Sequence, residues 1–317
     1  MVTGVIHRNT YYAVFVFVMF LISFNANAQQ ETMYTQYMSN VLSLNPAYAG
    51  SNDMLSLNAV SRNQWVGISG APETQTFSIH SPFTKYRMGL GLSFIKDKIG
   101  PISQTGVNVD YSYTIDFDRR RYLAFGLKGG VNFYNAGYSD LQLIDPNDIV
   151  YQSDVISRFL PNVGVGAYYY TERFYAGLSA PKLIENVINP HDGGFSTGHV
   201  NREELHLFFM TGYVFDVNRI LKFKPHFMLK FVQDAPVSID FSAQFLIYDR
   251  LWLGAMYRLG DSFGGLMQVQ ISNQIKVGYS YDLSVNNLGA FNSGTHEIMI
   301  SYDFSFGQGK VKSPRYF

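Results

Sequence analysis

The densest run of side chains able to do chemistry is His191, Asp192, Ser196 and His199, a set from which a hydrolase or a metal site could be assembled. The same residues, interleaved with glycine and threonine, are also what a solvated loop is made of. They lack metal-ligand spacing, so no catalysis and no bound metal are expected there. Gly177-Leu178-Ser179-Ala180-Pro181 fails as a nucleophile elbow because proline replaces the second glycine. Gly126 to Gly130 is not a phosphate cradle, since no helix and no lysine–serine or lysine–threonine pair follows it. No cofactor is expected.

The remaining chemistry is that of charge placed at alternate positions. Asp110, Asp116, Lys128, Lys224, Asp240, Arg258, Asp282 and Asp303 each lie between apolar or aromatic neighbours. Between Val107 and Phe117, Val107, Val109, Tyr111, Tyr113, Ile115 and Phe117 alternate with Asn108, Asp110, Ser112, Thr114 and Asp116. Period two over this length describes one long strand with one polar and one apolar face. Strands of roughly 9 to 11 residues are what a membrane barrel needs. Val107, Tyr111 and Ile115 are then expected to face lipid. Asp110, Asp116, Lys128, Asp240, Asp282 and Asp303 are expected to face a lumen, with His206 and His226 as further interior polar groups. Such a lining fits either a pore's selectivity surface or a blocked interior of mutually paired charges, and the blocked state is the one expected.

The pattern recurs along most of the 317 residues. Alternating segments run over 54–65, 73–80, 86–96, 103–117, 122–134, 160–170 and 173–180. They continue over 203–217, 221–232, 236–248, 251–259, 264–272, 275–283 and 295–306. The fold class read from this is all-β: an antiparallel transmembrane barrel of about 14 strands, within the even-numbered range of bacterial barrels. Counting from an inner N-terminus, the inner connections are all short, whereas 135–159, 181–202 and 284–294 fall on the outer side. A miscounted strand would have put a long loop inside.

Export is read from the N-terminus. His7 and Arg8 precede an apolar run from Tyr11 to Phe24 and a small-residue site, Ala26-Asn27-Ala28, so residues 1–28 are expected to be a cleaved signal peptide. With 24 acidic and 24 basic residues the net charge is zero, and no basic cluster points to nucleic acid. Cysteine is absent, which removes disulfides and a lipidated cysteine. The 23 tyrosines and 26 phenylalanines suit membrane interfaces. The expected organisation is a periplasmic segment over 29–53, a barrel over 54–306 and a basic tail over 307–317.

Between export signal and first strand stand Gln36-Tyr37-Met38-Ser39-Asn40 and Asn45-Pro46-Ala47-Tyr48-Ala49-Gly50. Their chemistry reads as a short amphipathic turn or helix, then an asparagine–proline turn, sealing the periplasmic mouth. Together with Arg62-Asn63-Gln64-Trp65, Gly278-Tyr279-Ser280-Tyr281-Asp282 and Gly294-Thr295-His296-Glu297-Ile298, these pieces resemble the PorP/SprF family of type IX secretion system membrane proteins from Bacteroidetes. The resemblance implies an outer-membrane protein without enzyme activity, serving secretion, gliding and the surface anchoring of secreted adhesins. Its implied partners are outer-membrane lipid, the C-terminal sorting domain of a secreted substrate or adhesin, and periplasmic machinery. Asn45, Pro46, Ala47, Tyr48, Arg62, Trp65, Tyr279, Tyr281, Asp282, His296 and Glu297 are the motif positions and candidate partner contacts. A porin-like channel for small solutes is the alternative.

Overall fold

The computed structural model describes residues 33–52, 54–118, 120–138, 154–186, 204–233 and 235–304. The alternating segments form strands β1 (Leu55–Asn63), β2 (Glu73–Phe83), β3 (Met88–Ile99), β4 (Ile102–Asp118), β5 (Arg121–Ala136), β6 (Val155–Tyr170) and β7 (Phe174–Ala180). β8 (His206–Tyr213) breaks at Val214 and resumes as Phe215–Asp216 against the same neighbour. Then come β9 (Leu221–Val232), β10 (Ser238–Ile247), β11 (Leu251–Arg258), β12 (Ser262–Gln270), β13 (Ile275–Ser284) and β14 (Thr295–Phe304). Every strand pairs antiparallel with its sequence neighbours, and the first pairs with the last from Leu55↔Phe304 to Asn63↔His296. Fourteen strands therefore close on themselves. Closure satisfies the backbone of every strand without water, which a lipid environment demands.

Burial alternates as the residue types do. In β4, Gly106, Asn108, Asp110 and Ser112 are buried, while Val107, Val109 and Tyr113 are exposed on the outside. Leu90, Leu92, Phe94, Phe125, Leu127, Phe241 and Ile298 continue the outward apolar band. Among the described residues, no helix is long and apolar enough to cross a membrane. The inner connections (84–87, 119–120, 171–173, 217–220, 248–250 and 271–274) are all tight. At one of them Tyr248 and Asp249 take φ of 55° and 53°, and Arg250 N–H donates to the Ile247 carbonyl at 3.1 Å, a two-residue reversal of the kind that suits twisted strands. The strand ends joined by the two long connections, Ala136 with Val155 and Ala180 with His206, lie at the other end.

The N-terminal segment is where the structure departs from the sequence expectation. Instead of capping the inner mouth, residues 33–50 occupy the barrel interior as three short helical turns: Tyr37–Ser39, Val41–Leu44 and Pro46–Tyr48. Tyr37, Leu42 and Ala47 are almost completely buried there. A seal at the rim would have left these apolar side chains in water, and the lumen of so wide a barrel would have stayed unfilled.

Candidate functional site

The interior is a contact surface between plug and wall. At its outer end, Arg62 on β1 donates from Nη1 to Glu297 Oε2 at 2.9 Å and from Nη2 to Asp282 Oδ2 at 3.0 Å. β14 and β13 supply the two carboxylates, and all three side chains are nearly inaccessible. The plug completes this clamp. Thr35 and Gln36 backbone N–H groups donate to the two Glu297 oxygens at 2.9 and 2.8 Å. The Thr35 hydroxyl accepts from Arg62 at 2.6 Å and donates to Asp282. Buried charges are tolerated where opposite charges and hydrogen bonds meet them, and here, among the described residues, Arg62 Nε and Asp282 Oδ1 are the clamp's atoms without a hydrogen-bond partner.

Further along the plug, side chains of the wall take up its exposed backbone groups. Lys128 pairs with Asp110 at 2.8 Å and reaches the Leu42 carbonyl at 3.4 Å. The Ser179 hydroxyl donates to the Leu44 carbonyl at 2.8 Å, and Ser112 donates to the Ala49 carbonyl at 2.6 Å. Asn45 caps the last turn by accepting from Ala47 N–H at 2.9 Å, while its amide donates to the Ala167 carbonyl at 3.1 Å. Glycines let the two backbones meet. A Cβ on Gly126 would stand 2.1 Å from Ala47 N, and one on Gly89 2.1 Å from the Ala49 carbonyl oxygen. No side chain fits at such a distance.

Several sequence-derived assignments change accordingly. Asn45, Pro46, Ala47 and Tyr48, taken as partner contacts, are buried against the inner wall and offer no surface to a second protein. Arg62, Asp282 and Glu297 are likewise enclosed, in the clamp. Because neighbouring residues of a strand face opposite ways, the other motif positions lie outside. Tyr279 and His296 share a 2.7 Å hydrogen bond on the outward surface, and Tyr281 bonds the Ser293 carbonyl at 2.9 Å. Trp65 has φ of 46° at the end of β1, and its N–H donates to Thr295 Oγ1 at 3.2 Å. Thus one motif set serves two surfaces.

Of the expected lumen residues, Asp110, Lys128, Asp240 and Asp282 are buried inside, and Arg258 grips Asp240 with two bonds of 2.9 Å. Asp303 is half-buried near the inner rim, accepting from the Ser56 hydroxyl at 2.6 Å. Asp116 is a correction: it is exposed at the inner rim and pairs with Arg87 at 3.6 Å. The reason is that β4 outruns β3, whose pairing begins only at Met88↔Tyr113. His226 bonds the Tyr175 hydroxyl at 2.7 Å and His206 the Glu204 carbonyl at 2.8 Å, both as interior polar groups. His191, Asp192, Ser196 and His199 lie outside the described residues. Among the described residues, no group of three His, Cys, Asp or Glu is placed to hold a metal.

The plug's place inside the barrel was missed by sequence reasoning, and the corrected motif contacts follow from it. Its signal was the run of Tyr, Met, Val and Leu from Tyr34 to Leu44, too apolar for a solvated periplasmic segment.

Comparison with known proteins agrees with this architecture. Residues 26–302 match the family described as type IX secretion system membrane protein PorP/SprF. No curated protein resembles the chain in sequence. Among solved structures, the CymD monoaromatic hydrocarbon channel superimposes with a TM-score of 0.55 at 11% identity, covering 85% of this chain and 93% of that one. The Acinetobacter baumannii outer membrane protein Omp33 gives 0.48 at 10% identity, over 80% of this chain and all of that one. At these identities the likeness concerns the fold of outer-membrane barrels alone.

Proposed function

Because the chain belongs to the PorP/SprF family of type IX secretion system membrane proteins, we propose that this barrel is a non-enzymatic anchor that holds a secreted protein at the outer membrane. The reading places the long outer connections against the C-terminal sorting domain of an adhesin or other secreted substrate. The tight inner turns, with the basic tail over 307–317, meet periplasmic machinery. Residues 1–28 are proposed to be removed on export. Outer-membrane lipid covers the apolar band.

The observation that carries this reading is the filled interior. A diffusion channel needs a continuous aqueous path, whereas here a peptide segment occupies the lumen and is bonded to the wall from Arg62 to Ser112. A barrel filled in this way offers its loops and rims for recognition, not its bore. Deleting the gene is expected to leave one or a few secreted proteins unretained at the cell surface, measured by mass spectrometry of surface and medium fractions. Unchanged display and secretion of every type IX substrate would remove the proposal.

A further inference from the structure

Cations at the two rims of the barrel are answered differently. At the inner rim Arg87 pairs with Asp116, Arg121 with Asp118, Arg173 with Asp216 and Lys222 with Asp249. Near the outer end of β3, Lys96 and Lys98 are exposed on the outward face, and among the described residues neither makes an ion pair. Among the described strand residues they are the only lysine or arginine side chains on the outward surface at that end. Asp97, between them, turns inward and is taken up by the Thr74 hydroxyl. The strand register shows what surrounds the pair. Lys96 stands opposite Gln75 on β2 and Thr105 on β4, and Lys98 opposite Glu73 and Ser103. One outward-facing row nearer the bilayer middle, the same three strands carry Phe77, Phe94 and Val107, and the row after that Ile79, Leu92 and Val109. Hydrocarbon thus gives way to amide, hydroxyl and ammonium groups in a single step of the pleat. With roughly 3.3 Å per residue and a tilt of roughly 40°, Lys96 and Lys98 stand about 20 and 25 Å above Met88, the height of the apolar band in such barrels.

We propose that Lys96 and Lys98, flanked by Gln75 and Thr105, form a binding site for a phosphate-bearing membrane lipid whose acyl chains lie on Phe77, Leu92, Phe94 and Val107. Side chains two residues apart on one face of a strand are roughly 7 Å apart, so both ammonium groups reach a single phosphate. Gln75 and Thr105 add hydrogen-bond donors on either side of it. Glu73, opposite Lys98, is the carboxylate facing outward beside the pair, and it biases the anion toward Lys96. The inner-rim pairs show that this chain places aspartates beside outward cations where it neutralises them itself; the charge of Lys96 and Lys98 is left for a ligand. A cation pair at headgroup height, directly above an apolar wall, matches an amphiphile with an anionic head. The leaflet is the outer one in the orientation adopted for the anchoring function, but the site itself does not depend on what the barrel anchors.

The folded full-length barrel in neutral detergent, titrated with phosphatidic acid and read by native mass spectrometry, tests the site. One phosphatidic acid is expected to be retained in clear preference to diacylglycerol of the same chains, and inorganic phosphate at equal concentration is expected not to displace it. Each lysine should contribute about fivefold in affinity at low salt, so the double variant Lys96→Gln/Lys98→Gln lowers it by about 25-fold. Lys96→Arg/Lys98→Arg should restore binding, since the positive charge is kept. Both side chains point away from the interior, so these changes leave the plug and its contacts in place. Arg121→Gln, which removes a paired cation at the inner rim, is the control and should change nothing. Equal retention by the double glutamine variant overturns the site. Displacement by inorganic phosphate leaves an anion site and overturns the lipid, and an equal loss with Arg121→Gln assigns the effect to overall charge and overturns it too. All of these are read on the purified barrel, so they are separate from the surface display that tests the anchoring function.

Discussion

At the scale of single residues, the interior is governed by what a side chain is not allowed to be. Gly126 and Gly129 stand three positions apart in β5, on its inner and outer faces, and a Cβ on the first would stand 2.1 Å from the Ala47 backbone while one on the second meets nothing within 4 Å. Gly126→Ala is therefore expected to lower stability by about 1–3 kcal/mol, the usual cost of overpacking a rigid site. Gly129→Ala should be neutral or slightly stabilising. Reversible unfolding in lipid vesicles compares the two, and equal effects would mean that the plug does not press on β5. The sequence showed that these strands hold glycines for a close backbone approach or a bend, but not what approaches, because the approaching segment is some 80 residues away in the chain. The motif residues were similarly half legible. Tyr281 and Asp282, or His296 and Glu297, are adjacent in sequence but face different surroundings, so a recognisable motif gave the positions without dividing them between clamp and outer surface.

Elements were read from period, and the reading fails where period fails. Each of the fourteen strands falls on one alternating segment, several overrunning its ends, because a wall between lipid and a polar interior imposes alternation on the residues that cross it. β6 begins at Val155, five residues before the alternation at Leu160, because the register against β5 shifts between Tyr134 and Ala136 and Ser157 takes φ of 48°. A bulge of that sort puts two residues opposite one and scrambles the pattern. β2 runs on through Pro82, which resembles a turn signal but occupies the strand's last paired positions. The plug has no period at all: its turns are too short for a helical stripe, and their burial comes from a wall assembled from the rest of the chain. Removing this element should expose the lumen. A variant lacking residues 34–49 is expected to give steady conductance in planar bilayers, with the intact protein silent. Conductance of the intact protein at the level of the deletion would mean that the plug leaves an open path around it.

For the molecule as a whole, the membrane position follows from two surfaces that differ by one residue's step. Lys128 points inward and is paired with Asp110, while Leu127 beside it is 59% exposed on the outside, six residues above the inner end of β5. The same strand thus offers a charge to one solvent and a hydrocarbon to the other, and only a lipid exterior makes the second arrangement favourable over so large an area. The depth of the band is testable by moving a charge along it. Leu127→Arg is placed near the bilayer middle and should cost about 2–4 kcal/mol of folding free energy in lipid. Phe117→Arg is at the inner rim, where an arginine snorkels to water, and should cost at most about 1 kcal/mol. Both residues face outward, so loss of interior packing does not separate them, and the difference between the two variants reports depth alone. Equal costs would place the apolar band elsewhere on the wall, and with it the boundary between the outer connections and the rims to which the anchoring surfaces are assigned.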